Sequence, residues 1–247
     1  MLKIFKVICI TCTFGLVYAE TNFYVDPTRV VLTDTKTSVQ LTVHNNFEES
    51  QPIQVKTVML TQILDGNKLT ESNPSIMGHP QVAITPQIMS VAPKSTKPIR
   101  LLALSQLDND EISYRIFIRS ITPRAITSSG TTMELGFGIP VYVLPKNIHQ
   151  SANYLITKKG TNYSLIIKNT GNVHLNVNTV ILYDSNNQAI QTISTPGAIL
   201  SGKERVFTFK MKNNNNYSEF KAEIKQQDLI NFTNEVTHAQ TIKIVTI

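Results

Sequence analysis

Cysteine is almost missing from this chain of 247 residues. There are two, Cys9 and Cys12, and both lie in an N-terminal stretch that reads as a removable leader. Lys3 and Lys6 supply its positive charge, residues 7–16 a short apolar run, and Val17-Tyr18-Ala19 a small-x-small cleavage site. The expected mature chain therefore starts at Glu20 and carries no thiol. For an exported protein that excludes a disulfide framework, a thiolate metal site and a cysteine nucleophile. Tryptophan is also absent. No later run approaches the ~20 apolar residues of a membrane span, so a soluble product is expected. The formal net charge of +6 is spread along the chain, and two of the lysines sit in the leader. No basic arm suited to nucleic acid is present.

Catalytic constellations are missing too. The five histidines (His44, His79, His149, His174, His238) show no HExxH spacing, and there is no G-x-S-x-G, phosphate-binding loop or calcium-loop pattern. His44 and His174 alternate with apolar neighbours and read as surface or sheet histidines. Glu48-Glu49 and the acids Asp108 and Glu111 fall in turn-rich stretches and read as solvated loops. The expectation is a non-enzyme with no cofactor, no metal, no nucleotide and no nucleic-acid partner. Three Asn-x-Ser/Thr triplets, at 162, 216 and 231, matter only in a eukaryotic secretory pathway.

Strand signals fill the space that helix signals leave empty. Segments 22–33, 38–44, 52–64, 82–91, 97–104, 112–121 and 131–143 show strand composition, and clusters such as Asp65-Gly66-Asn67 and Pro93-Lys94-Ser95 separate them. About seven strands in this span are the number expected of an immunoglobulin-like sandwich. Residues 145–149 form a plausible linker. Beyond it, strands recur at 154–158, 162–168, 173–184, 188–193, 204–211, 219–226 and 240–246 between Asn-rich turns. The expected fold is all-β, with two immunoglobulin-like β-sandwich domains. Their expected bounds are 20–145 and 146–247, after a signal peptide at 1–19.

Three stretches rise above this background. In 133–143, Met133, Leu135, Phe137, Ile139, Val141 and Val143 alternate with Glu134, Gly136, Gly138 and Pro140. One strand face is thus a continuous apolar row. Glycine and proline make a central position unfavourable, so this reads as an edge strand, a hazard unless another chain pairs with it. In Asp26-Pro27-Thr28-Arg29-Val30-Val31-Leu32, Arg29 interrupts an apolar segment. It either snorkels to solvent or offers a donor fork to a carboxylate. In 114–123, Arg115 and Arg119 share a face with Phe117, opposite Tyr114, Ile116 and Ile118.

Together these stretches resemble the PapD-like periplasmic pilus-assembly chaperones. The first-strand Pro-Thr-Arg-Val-Val-Leu, the Val91-Ala92-Pro93-Lys94 turn followed by Ile99-Arg100-Leu101, the strand from Tyr114 to Pro123, and Phe137-Gly-Ile-Pro-Val-Tyr-Val each match a family motif. The resemblance implies a periplasmic location and a boomerang pair of sandwiches. It also implies pilin subunits and an outer-membrane usher as partners. The implied donor strand, called G1 in the family, comprises Met133, Leu135, Phe137, Ile139 and Val141. Such a strand would complete a pilin fold that lacks one strand, a form of strand addition. The family usually holds the subunit's terminal carboxylate with a first-strand Arg and a G1 Lys. Arg29 matches the first; Pro140 stands at the second. That departure is similar to the archaic, Csu-type branch. Arg115 is then the candidate second anchor, with Arg119 behind it, and Lys146 a bystander. Glu111 aligns with an acid of the family's inter-domain cluster, but Leu144 stands where a base belongs, so the cluster is not carried over. The rival readings are a pilin-like adhesive or structural surface protein and a carbohydrate-active sandwich enzyme. The first would carry an N-terminal donor extension, and the second tryptophan platforms and paired carboxylates.

Overall fold

The computed structural model describes residues 23–62, 69–72, 82–105, 109–121, 136–195, 197–211, 217, 219–230 and 234–246. Among them every regular element is a strand, and no helix is long and apolar enough to cross a membrane.

The first half contains β1 (Phe23–Asp26), β2 (Val30–Leu32), β3 (Ser38–Asn45), β4 (Gln51–Gln62), β5 (Leu69–Ser72), β6 (Val82–Thr85), β7 (Ile88–Val91), β8 (Ser95–Ala103), β9 (Ile112–Ser120) and β10 (Gly136–Val143). They form two sheets. One runs β1-β3-β8-β6; the other runs β2-β10-β9-β4-β5, with β7 also on β4. The segment 22–33, expected as one strand, is two: β1 pairs with β3 in the first sheet and β2 with β10 in the second. The switch falls at Pro27-Thr28-Arg29, where proline lacks the N–H that a continuous ladder needs. The segment 82–91 divides in the same way around Pro86, β6 joining β8 and β7 joining β4. Between the sheets, Val25, Leu41, Val43, Ile53, Ile99, Leu101, Ile116, Ile118, Ile139 and Val141 close one core. Each fully buried aliphatic side chain contributes roughly 1.5–3 kcal/mol.

The second half contains β11 (Ala152–Lys159), β12 (Asn162–Asn169), β13 (Val177–Tyr183), β14 (Ala189–Ser194), β15 (Glu204–Lys210), β16 (Glu219–Gln227) and β17 (Glu235–Thr246). β17 ties both of its layers together. Its first part lies antiparallel to β16, and its end runs parallel to β11. Ile156, Leu165, Ile167, Val180, Leu182, Phe220 and Ile224 fill a separate core.

The two sandwiches share a device that their sequences do not advertise. Asn45 ends β3 and Asn169 ends β12, and neither residue is exposed. The Asn45 side-chain amide donates to the carbonyls of Glu49, Val91 and Ala92 while its oxygen accepts from the Phe47 N–H. Asn169 donates to Val173 and Ile199 and accepts from Gly171. In each case a short amide satisfies buried carbonyls where the chain leaves the sheet, groups that would otherwise be costly to bury.

Candidate functional site

β10 has two different edges along its length. On one side it pairs with β9 throughout, from Gly136 opposite Arg119 to Val143 opposite Ile112. On the other side β2 covers only its end, through Val141–Val30, Tyr142–Val31 and Val143–Leu32. Across 136–140, no strand among the described residues occupies that second edge. Pro140 is the last residue before β2 joins. The strand is therefore central at one end and an edge at the other.

The apolar row changes character along the same direction. Val141 is completely buried and Ile139 is 2% exposed, both in the first core. Phe137 is only half-buried, and its ring meets Phe23 at 5.5 Å between centroids. Met133 and Leu135 lie outside the described residues. Val141 thus seats β10 in its own sandwich, while Phe137 and Ile139 occupy the stretch whose edge is open.

The opposite face of β10 carries the arginines. Arg115 stands opposite Pro140, Phe117 opposite Gly138 and Arg119 opposite Gly136. The Arg119 guanidinium lies over the Phe117 ring at 4.8 Å, within the range of cation–π attraction. Arg29 directly precedes the first β2–β10 pair, as Pro140 does on β10, and Arg115 stands opposite Pro140 on β9, so the chain brings both arginines beside Pro140. Next to them, burial pushes the Tyr142 hydroxyl up to about 12; Arg29 pulls it down, Glu111 pushes it up and Arg115 pulls it down. One phenol therefore feels both arginines.

Arg29 also reaches the second sandwich. Its Nη1 donates to Gln227 Oε1 at 2.8 Å, and Gln227 is the last residue of β16. Beside it lies a cavity of about 500 Å³ lined by Arg29, Asp34, Lys36, Lys146, Ile148 and Ile230 among others. Lys146, expected as a bystander, lines the same cavity together with the cations Arg29 and Lys36.

The junction between the sandwiches is the part that sequence reasoning missed. Glu111 was expected in a solvated loop; its side chain is 2% exposed. His174 was expected in a strand or at the surface; it lies outside the strands with a side chain 0% exposed. Glu111 Oε2 meets His174 Nδ1 at 2.6 Å and accepts the His174 backbone N–H at 3.0 Å, and its other oxygen accepts from Ser113. His174 Nε2 finds no hydrogen-bond partner among the described residues. The imidazole stacks on Tyr142 at 3.6 Å. Around this contact Val31, Tyr142, Leu144, Val173 and Leu229 form a small core bridging the two halves. Leu144 is buried in this small core, and Glu111 meets His174. Asn172 adds hydrogen bonds to the carbonyls of Asn109 and Asn147.

No group of three or more potential metal ligands gathers among the described residues. What the arrangement offers is main-chain donors and acceptors along an open strand edge. Apolar side chains lie on one face of that strand, and guanidinium groups on the other, running toward the junction.

A family model for pili and flagellar-assembly chaperones, the PapD N-terminal domain, matches residues 22–149. Comparison with curated protein sequences gives no match. Among solved structures, the class 5 fimbriae chaperone CfaA is similar at 21% identity, with a TM-score of 0.61, covering 89% of this chain and 99% of its own. The CsuC–CsuE chaperone–tip subunit complex from archaic Csu pili of Acinetobacter baumannii matches at 14% identity and TM-score 0.60, covering 91% and 99%. The Salmonella enterica SafA pilin in complex with the SafB chaperone matches at 11% identity and TM-score 0.56, covering 90% and 95%.

Proposed function

This chain belongs to the pili and flagellar-assembly chaperone family, and from that premise we propose that it captures pilin subunits in the periplasm by donor-strand complementation. It would then pass them to an outer-membrane usher. The observation that carries the reading is the open edge of β10 at 136–140, backed by Ile139 and half-buried Phe137. A pilin lacking one strand presents an apolar groove with unpaired main chain on both sides. The β10 edge supplies hydrogen bonds in register, and its odd-numbered side chains fill the groove. We assign Phe137 to the donor row, with Met133 and Leu135 continuing it along the sequence; Ile139 lies on the open edge with its side chain 2% exposed in the chain's own core. Val141 fixes the strand's seat instead.

Strand addition by itself leaves register undetermined, and a slip of one residue turns the wrong face inward. Arg29 and Arg115, beside Pro140, are suited to hold the subunit's terminal carboxylate and set that register. The reaction needs no nucleotide, because the energy comes from apolar burial and main-chain pairing. The pilin-like alternative is set aside by family membership, and the two halves read as separately cored domains, 20–145 and 146–247, joined through residues 145–149.

Periplasmic co-purification followed by mass spectrometry identifies the bound subunit. Phe137→Asp is expected to abolish recovery of that subunit while the free chain keeps its melting temperature. Wild-type recovery from Phe137→Asp removes the donor-strand reading.

A further inference from the structure

Two glycines in an eight-residue strand call for a reason. Glycine in a strand interior is less stable than alanine by roughly 0.5–1 kcal/mol. Where a backbone needs positive φ, that cost is unavoidable. Gly160, Gly197 and Gly202 adopt positive φ here; Gly136 and Gly138 do not. Their backbone is one any residue adopts. What distinguishes them is the space above them. A Cβ on Gly138 would lie 3.0 Å from Arg115 Cδ, 3.6 Å from Arg115 Cγ and 3.4 Å from Phe117 Cε1. A Cβ on Gly136 would lie 3.1 Å from Arg119 Cγ. The stems of both arginines thus rest on β10, in the hollows that the missing side chains leave. Arg115 does so diagonally, since its direct partner is Pro140.

We propose that Gly138 is a positioning residue for Arg115, and Gly136 for Arg119. By lacking a Cβ, each lets an arginine stem leave its own strand and lie across β10, the strand whose far edge is open. The Arg115 guanidinium is thereby carried toward the incoming subunit instead of standing above β9. Phe117 fills the space between the two stems, touching the Gly138 hollow on one side and the Arg119 guanidinium on the other. Arg119, Phe117 and Arg115 form one packed unit whose floor is the two glycines. The subunit class this unit fits is one presenting a carboxylate, terminal or side-chain, on the cleft face of the added strand. The inference rests on the donor-strand reading above. It adds that the glycines, which contribute nothing to the apolar row, serve the polar face.

The test uses the full chain co-expressed with the subunit that co-purifies with wild type. Gly138→Ala, Gly138→Val, Arg115→Ala and the double variant Gly138→Val/Arg115→Ala are compared for subunit recovery and for melting of the free chain. Each glycine substitution is expected to leave the melting temperature unchanged or higher. Arg115→Ala is expected to lower recovery about tenfold, as loss of a charge-assisted pair would. Gly138→Val should lower it to a similar level and Gly138→Ala less. The double variant should be no worse than Arg115→Ala, because the two changes remove one interaction. Recovery unaffected by Gly138→Val, or losses that multiply in the double variant, overturns the positioning role while leaving donor-strand addition intact. No loss from Arg115→Ala overturns both this role and the carboxylate-anchor assignment. The donor-strand reading itself fails separately, through Phe137→Asp.

Discussion

At the scale of single residues, Arg29 ties the start of β2 to the second sandwich through Gln227. Arg29 stands out in sequence because it breaks an apolar run, and it lands beside Pro140 and against Gln227. Glu111 and His174 gave no such signal. They are 63 residues apart, Glu111 in a turn-rich stretch and His174 among alternating apolar residues; only folding brings them together at 2.6 Å. A buried acid that meets a base from another sandwich leaves no periodic trace. The prediction at this scale concerns the arginine pair. A bidentate guanidinium–carboxylate contact is not reproduced by lysine. Losing one partner of a desolvated pair costs about 2 kcal/mol or more. Arg29→Ala is therefore expected to cut subunit recovery at least as strongly as Arg115→Ala, and Arg29→Lys is expected to rescue it only in part. Lys146 borders the Arg29 cavity and cannot act as a neutral control. Lys94, exposed and paired with Glu48, should change nothing when replaced by Ala. Normal recovery from Arg29→Ala would mean that the carboxylate is held elsewhere.

At the scale of elements, period-two alternation made most strands legible. Segment 112–121 emerges as β9 (112–120), 162–168 as β12 (162–169) and 219–226 as β16 (219–227). What alternation could not reveal is which sheet a strand joins. Segments 22–33 and 82–91 each keep an apolar pattern across a change of sheet, and the proline at each break was the only available sign. β5 was missed because four residues are too few to establish a period. β10 itself was read as an edge strand, and the structure makes it an edge for part of its length only. That distinction is testable. Val141 has no exposed surface and is paired on both sides, so Val141→Asp places an unpaired carboxylate in the core, a cost of several kcal/mol. Its melting temperature should collapse together with subunit recovery. Phe137→Asp should lose recovery alone. Equal thermal damage from both variants would contradict the division of β10 into a seated end and an offered end.

At the scale of the whole molecule, the two cores communicate through a narrow junction in which Tyr142 is the central ring. It stacks on His174, packs with Val31, Leu144, Val173 and Leu229, and feels Arg29, Glu111 and Arg115. Burial raises its hydroxyl from 10.0 to about 12. A raised phenol means that folding favours the neutral form. The corresponding stability is fully present below pH 10, declines as pH rises from 10 to about 12, and is gone above that. At about 1.4 kcal/mol per pKa unit, Tyr142 accounts for roughly 2–3 kcal/mol of alkaline loss. Tyr154 in the second sandwich is also raised to about 12 by burial, and its contribution falls in the same window. The two are separable by substitution. Tyr142→Phe keeps the stacked ring and removes the ionisable group, so urea unfolding should lose roughly 2–3 kcal/mol less than wild type between neutral pH and about pH 12. Tyr154→Phe should do likewise, but only Tyr142→Phe should also preserve the Arg29-dependent recovery of subunit on the alkaline side, because only Tyr142 adjoins the arginines. If Tyr142→Phe follows the wild-type pH curve throughout, the ring is reached by water in solution, and the junction is looser than this packing requires.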